Sequence, residues 1–237
     1  NLMNKHYYLV IDTETTRKGT VADFGAVLMD KRTGYISKKA IVAEELPQLD
    51  LFFKKDVSEN DFWSAQNLPA RRNYYRGMVK DGRRDVASVA AINNWLHEMK
   101  AKYDPLVTAY NFPFDRAACE KSGIDLSIFK DNFCLYKAAR RHWNQCDEYH
   151  QWAARKNYKT DSHGSSFSAD AVSHWVLGDD VPPEPHTAFE DAYYYEVPIL
   201  KSLLRRYSRS ALLDVCNLPL ARVKAQSVFN KVSRLKK

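Results

Sequence analysis

Long apolar runs are missing from this chain. No uninterrupted stretch approaches the roughly 18 residues that a membrane-crossing helix requires, and the first residues lack the basic, apolar, small-residue order of a secretory signal. These absences argue against a membrane or secreted protein and lead to the expectation of a cytoplasmic, intracellular one. Cysteine is sparse: Cys119, Cys134, Cys146 and Cys216 form no C-x-x-C pair, so reduced thiols are expected rather than a disulfide framework. Cys134, His142, Cys146 and His150 raise the question of zinc, because the last three share one helical face. Structural zinc sites carry tighter ligand pairs, which favours the plainer reading. Internal repeats, low-complexity tracts and Gly/Ser-rich linkers are also absent, and nothing divides the chain into several domains.

What is present is a globular composition: 237 residues, 45% hydrophobic and 27% charged, enough to bury a sizeable core. One main domain is expected over 5–206, followed by a basic C-terminal extension, 207–237. The net charge of +7 is concentrated at that end, where residues 201–237 hold ten Lys/Arg against a single acid, Asp214. A basic tail on a near-neutral body fits a polyanionic partner such as nucleic acid, and equally a solvated helix face with a frayed end.

The N-terminal part reads as three strands, 7–12, 21–30 and 34–43, rich in β-branched and aromatic residues and joined by short connections that imply antiparallel neighbours. The period then changes. Val86, Val89, Ile92, Leu96 and Met99 recur at helical spacing after an N-cap at Asp85, predicting a helix over 86–101. A strand at 105–110, helices at 114–122, 134–155 and 168–177, and a last helix at 187–206 complete an α/β domain with a mixed sheet. The last helix would bury Ala188, Ala192, Tyr195, Ile199 and Leu203.

The first strand raises the functional question, because its apolar run Leu9-Val10-Ile11 ends in Asp12-Thr13-Glu14. Side chains two apart share a face, so both carboxylates would stand together at the strand's carboxyl end, where open α/β sheets bind ligands. Like charges held close raise each other's pKa, and a hard cation such as Mg²⁺ or Mn²⁺ relieves the repulsion. A D-x-E alone is weak. It gains weight from Asp115, just after the second strand in Asn111-Phe112-Pro113-Phe114-Asp115. It gains more from His186-Thr187-Ala188-Phe189-Glu190-Asp191, which follows Pro182, Pro183 and Pro185. Those prolines stiffen the approach to the helix that carries Asp191.

In order and context, Asp12-x-Glu14, Asp115 after Tyr110-Asn111-Phe112-Pro113-Phe114, and His186-x-Ala188-x-x-Asp191 resemble the three motifs of the DnaQ-like DEDDh exonuclease superfamily, which includes proofreading exonucleases and ribonuclease T. The resemblance covers about 7–206. It implies a ribonuclease H-like fold, a five-stranded mixed sheet flanked by helices on both faces. It also implies a 3′→5′ exonuclease that uses two divalent metal ions, Mg²⁺ or Mn²⁺, and releases nucleoside 5′-monophosphates. Carried over, Asp12 would bridge both ions, Glu14 and Asp191 would hold the ion that activates water, and Asp115 would engage the other largely through water. His186 would be the general base; a tyrosine variant of the family carries its base where this chain has Thr187.

Thr15, Thr16, Asn111, Phe114 and Arg17 are the candidate substrate contacts. The family's usual ETTG reads Glu14-Thr15-Thr16-Arg17-Lys18-Gly19 here, so Arg17-Lys18 either touch the substrate backbone or form a solvated loop. The threonines could equally serve ordinary turn chemistry, and Phe112 or Phe114 could stack on a base or pack in the core. Residues 60–84 interleave aromatics with Arg71, Arg72, Arg76, Arg83 and Arg84. That pattern suits a single-strand groove, or a sheet cover whose arginines face water; 136–143 reads better as a solvated helix face. The expected partners are single-stranded DNA or RNA 3′ ends, and the extension leaves room for a homodimer or for a polymerase or other partner protein. The rival from another class is a nucleic-acid-binding subunit of the same fold without catalysis, whose signature would be loss of an acid or the histidine; all five are present.

Overall fold

In the computed structural model the described residues are 6–16, 18–43 and 75–217. Six strands form one mixed, open sheet in the order β4-β3-β2-β1-β5-β6. They are β1 (Tyr7–Thr15), β2 (Val21–Asp30), β3 (Gly34–Ala43), β4 (Asp85–Ala87), β5 (Leu106–Ala109) and β6 (Asn132–Cys134). β1, β2 and β3 are antiparallel to one another, while β5 runs parallel to β1, β6 parallel to β5 and β4 parallel to β3.

The described residues are therefore α/β with a mixed sheet, as the sequence led one to expect, but with six strands rather than five. Two of them were not placed by the sequence: β6, paired parallel to β5, and β4, which occupies residues assigned above to the start of a helix. Asp85–Ala87 pair with Ile41–Ala43 at the free edge of β3. Helix α1 (Val89–Tyr103) begins only afterwards, capped by Ser88, whose Oγ accepts the Ala91 N–H at 3.1 Å.

Helices cover both faces of the sheet. One face of β1, Leu9 and Ile11, packs with Ile92, Leu96 and Met99 of α1 and with Phe112, Ala118 and Cys119 of α2 (Phe112–Lys121). The other face, Tyr8 and Val10, packs under α3 (Leu135–Trp143), α4 (Asp147–Arg155), α5 (Ala169–Leu177) and α6. Helix α6 runs from Ala188–Glu190 through a π-helical stretch, Asp191–Glu196, to Val197–Leu204. Its five predicted core residues are all buried. Burying a side chain such as Ile199 or Leu203 on one face, or Ile92 or Leu96 on the other, contributes about 1.5–3 kcal/mol of transfer free energy, so β1 is held from both sides.

The single helix expected over 134–155 is two helices. After Trp143 the chain turns, and Cys146 is extended (φ −101°, ψ 105°) before α4 starts. His150 holds the break: its Nε2 lies 2.9 Å from the Asn144 carbonyl, one of the oxygens left over where α3 ends. Past residue 206, α7 (Arg209–Asn217) packs on α3, α6 and β6 and buries Leu212, so the first part of the basic extension lies against this body. No helix among the described residues is long and apolar enough to cross a membrane.

Candidate active site

The strand that carries Asp12 does not stop there. β1 continues to Thr15, paired with β2 through Asp12↔Gly25 and Glu14↔Asp23, whereas its pairing with β5 ends at Val10↔Thr108. β1 thus outruns β5, and its last residues extend beyond the carboxyl ends of two parallel strands. A bulge between Glu14 and Thr15 ends the regular register, a local device that re-aims side chains near sites.

Helix α6 comes down on the same face at Gly25. A Cβ there would lie 2.3 Å from the Phe189 main-chain nitrogen, so only glycine lets the first turn of α6 rest on the strand beside Asp12. That contact sets the height of Asp191. His186 precedes the helix with φ 55°, in the left-handed region that a non-glycine residue rarely occupies. Its loop is tied to the helix by the Tyr195 hydroxyl, 2.7 Å from the Pro182 carbonyl and 3.0 Å from that of Pro183.

Ligand atoms of Glu14, His186 and Asp191 all lie within 4.8 Å of one another, the one such His/Cys/Asp/Glu group found among the described residues. The zinc quartet considered above is not gathered. His142 meets the Tyr207 hydroxyl through Nδ1, His150 meets Ser165 and Asn144, and Cys146 meets Glu148.

Asp115 stands in the first turn of α2, on the other face of the sheet, and its Oδ1 accepts both the Thr13 N–H (3.0 Å) and the Thr13 hydroxyl (2.8 Å). Thr13, pointing away from Asp12 and Glu14, thereby ties the fourth acid to the same strand end. Burial raises the Asp115 carboxyl to about 7 even against those hydrogen bonds. Burial, then the charges of Glu184 and Glu14, raise Asp191 to about 9. Asp12 is raised too, by burial first and then by Glu196, Asp115, Glu14 and Asp191 in turn. No lysine or arginine among the described residues pairs with Asp12, Asp115, Asp191 or Glu196. Asp191 Oδ1 is buried without a hydrogen-bond partner. Hard oxygen donors, mutually repelling and lacking a protein counter-charge, are the donor set that a divalent cation satisfies.

The other expected contacts separate. Phe112 is buried in the core, while Phe114 is 51% exposed beside the site. Asn111 is exposed with φ 121°, and its carbonyl accepts the Phe114 N–H at 2.8 Å, closing the turn that aims α2. Thr15 is partly buried at the end of β1. Thr16 serves turn chemistry: its hydroxyl meets that of Thr20 at 2.6 Å and accepts the Lys18 and Thr20 N–H groups. Arg17, residues 60–74 and residues 218–237 lie outside the described residues.

Arg84 follows neither reading given to the arginines of 60–84. It is 1% exposed and forks onto Asp23 (Nε–Oδ1 2.7 Å, Nη2–Oδ2 2.9 Å) and onto Glu190 (Nη2–Oε2 2.6 Å). Asp23 Oδ2 also accepts from the Tyr75 hydroxyl at 2.7 Å and the Ala188 N–H at 3.0 Å. Sequence reasoning missed this network, and with it Glu196, an acid four residues after Ala192 and three before Ile199, inside the apolar stripe of α6. A charge in a core stripe was the available signal.

No family model matches this chain, and a search of curated proteins returned no match.

Proposed function

We propose that the protein is a metal-dependent 3′→5′ exonuclease of the DnaQ-like DEDDh type, with a ribonuclease H-like domain, acting on single-stranded DNA or RNA ends. The observation that carries the reading is the meeting of Glu14, His186 and Asp191 within 4.8 Å, beside Asp12 and Asp115, where β1 outruns β5. Glu14 and the His186/Asp191 pair come from two of the motifs quoted from the sequence, and Asp115 of the third is tied to β1 through Thr13. The mixed sheet with helices on both faces agrees with the fold that the resemblance implies.

Asp12, Glu14, Asp115 and Asp191 would hold two divalent cations, Mg²⁺ or Mn²⁺, which when bound supply charge stabilisation to the attacking and leaving oxygens of an in-line displacement at phosphorus. The chain's own contribution is positioning and proton transfer. His186 accepts the proton of the attacking water, a task matched to an imidazole. Its ring loses little freedom on doing so, because Pro185 and the loop tied by Tyr195 hold it at the mouth of the acid cluster. Asp115, fixed by Thr13, keeps the cluster's far side in register. Phe114 offers an exposed ring on which a terminal base can stack, worth about 1–3 kcal/mol where such stacking forms. Thr15, Asn111 and Arg17 complete the proposed substrate contacts; Thr16 enters through the turn it holds.

The test is digestion of end-labelled single-stranded DNA, single-stranded RNA and duplex with Mg²⁺ or Mn²⁺. Stepwise shortening from the 3′ end with 5′-monophosphate products is expected. Asp12→Ala should abolish it, and His186→Ala should lower turnover by about 10²–10⁴-fold, the range for loss of a general base. Binding without shortening by the wild type would favour the non-catalytic subunit instead, and a fully active Asp12→Ala would end the proposal.

A further inference from the structure

Five residues along an ordinary α-helix span about 1.4 turns, so two side chains at that spacing point in different directions. In α6 the spacing between Asp191 and Glu196 is bridged by the π-helical stretch, and the Val197 N–H donates to the Ala192 carbonyl, five residues back. The wider ring makes five residues about one turn, and π-stretches of this kind are frequent at functional sites. Pro198, two residues after Glu196, has no N–H to give to the fourth residue before it, which favours the wider register there. The stretch packs directly on β1 and β2. Both acids are buried, Asp191 at 5% and Glu196 at 2% exposure. Glu196 Oε2 and Asp191 Oδ1 are the two carboxylate oxygens buried without any hydrogen-bond partner among the described residues. Of the charges around Asp12, that of Glu196 acts on it most strongly, ahead of Asp115, Glu14 and Asp191.

We propose that Glu196 is a fifth carboxylate ligand of the cation site, turned beside Asp191 by the π-helical stretch of α6. The inference rests on the cation-dependent reading of the site given above and adds to it a residue that the sequence motifs do not contain. A buried carboxylate with a bare oxygen costs stability unless something binds that oxygen; the Tyr110 main chain hydrogen-bonds to the Glu196 carboxyl, yet Oε2 stays bare. A divalent cation bound on the Asp191 side of the site would meet that need. It would also explain why the helix departs from α geometry over the stretch that joins these two acids.

The experiment is calorimetric titration of the chelator-treated full chain with Mn²⁺, comparing the wild type with Glu196→Gln, Glu196→Asp and the exposed Glu120→Gln, with circular dichroism to confirm folding. Glu196→Gln and Glu196→Asp should each weaken Mn²⁺ binding at least tenfold, the first by removing the charge and the second by withdrawing it about one methylene. Glu120→Gln should bind as the wild type does. Wild-type affinity in a folded Glu196→Gln protein, or failure of both Glu196 variants to fold, would make Glu196 a structural acid and overturn the proposal. A wild type that takes up no Mn²⁺ would overturn the cation site itself, a result distinguishable from the loss of Glu196 alone.

Discussion

Asp12 and Asp23 point to the same face of the β1–β2 ladder, Asp12 opposite Gly25 and Asp23 two residues before that glycine, yet their surroundings differ. Asp23 is saturated. Arg84 grips both of its oxygens, and the Tyr75 hydroxyl and the Ala188 N–H complete its bonding. Glu190 shares the guanidinium: burial works to raise its carboxyl, and the hydrogen bond and charge of Arg84 hold it below the ordinary value instead. A step away, Asp12, Asp115, Asp191 and Glu196 have no such cation and are all raised, burial being the first cause in each. Where the chain supplies its own counter-charge, the acids fasten elements together. Where it withholds one, they are left for a charge from outside.

The sharpest way to break this contrast is Arg84→Met, which strips the counter-charge from Asp23 and Glu190 together. Removing one partner of a buried pair costs about 3–5 kcal/mol, and urea unfolding should show a loss in that range. Because Asp23 also receives the Ala188 N–H, the start of α6 should loosen first, read as faster amide exchange at 188–191 than elsewhere in the helix. A loss under about 1 kcal/mol would mean that the network does not anchor α6.

A second effect, somewhat smaller, comes from the uncompensated set. A carboxyl whose folded pKa lies above its unfolded value contributes stability that is complete below the unfolded value and is lost as pH rises through the folded one. For Asp115 the folded value is about 7, for Glu184, raised by burial and by Asp170 and Glu14, about 8, and for Asp191 about 9. The metal-free protein should therefore lose melting temperature steadily from pH 5 to pH 9, by roughly 5–10 °C for a few kcal/mol in a chain of this size. Saturating Mg²⁺ should flatten the slope, since a bound cation holds the acids ionised. A metal-free protein as stable at pH 9 as at pH 5 would show that the cluster is already compensated.

The contrast also marks what the sequence could and could not tell. Asp12, Glu14, Asp115, His186 and Asp191 were legible because each sits at a fixed offset from a strand end or helix start, a local pattern. The buried stripe of α6 was legible for the same reason: Ala188, Ala192, Tyr195, Ile199 and Leu203 follow helical period and are buried. Arg84 was not, because its partners Asp23 and Glu190 are 61 and 106 residues away and nothing local separates a buried arginine from a solvated one. β4 and β6 were missed because a three-residue strand is set by the edge it joins, that of β3 or of β5, rather than by its own residues. The break at 144–146 depends on one histidine reaching back to a carbonyl. The π-helical stretch depends on the packing of α6 against β1 and β2, and period arguments assume the α-helix that it departs from.

The smallest effect expected concerns the link between the two faces of the sheet. Thr13→Val keeps the shape and the main-chain N–H but removes the hydroxyl that donates to Asp115 Oδ1 at 2.8 Å. One hydrogen bond to a buried, partly charged acceptor is worth about 1 kcal/mol net, so melting temperature should fall by only a few degrees. The informative readout is the carboxyl itself. The Thr13 bonds lower the Asp115 pKa against the pull of burial, so losing one should raise it further, visible by carbon NMR of the labelled side chain in metal-free protein. Cation affinity should fall slightly and more at pH 6 than at pH 8, because a proton then competes better for Asp115. If the pH dependence of Mn²⁺ binding were the same in Thr13→Val as in the wild type, Asp115 would not be titrating against the cation, and its place in the uncompensated set would rest on position alone.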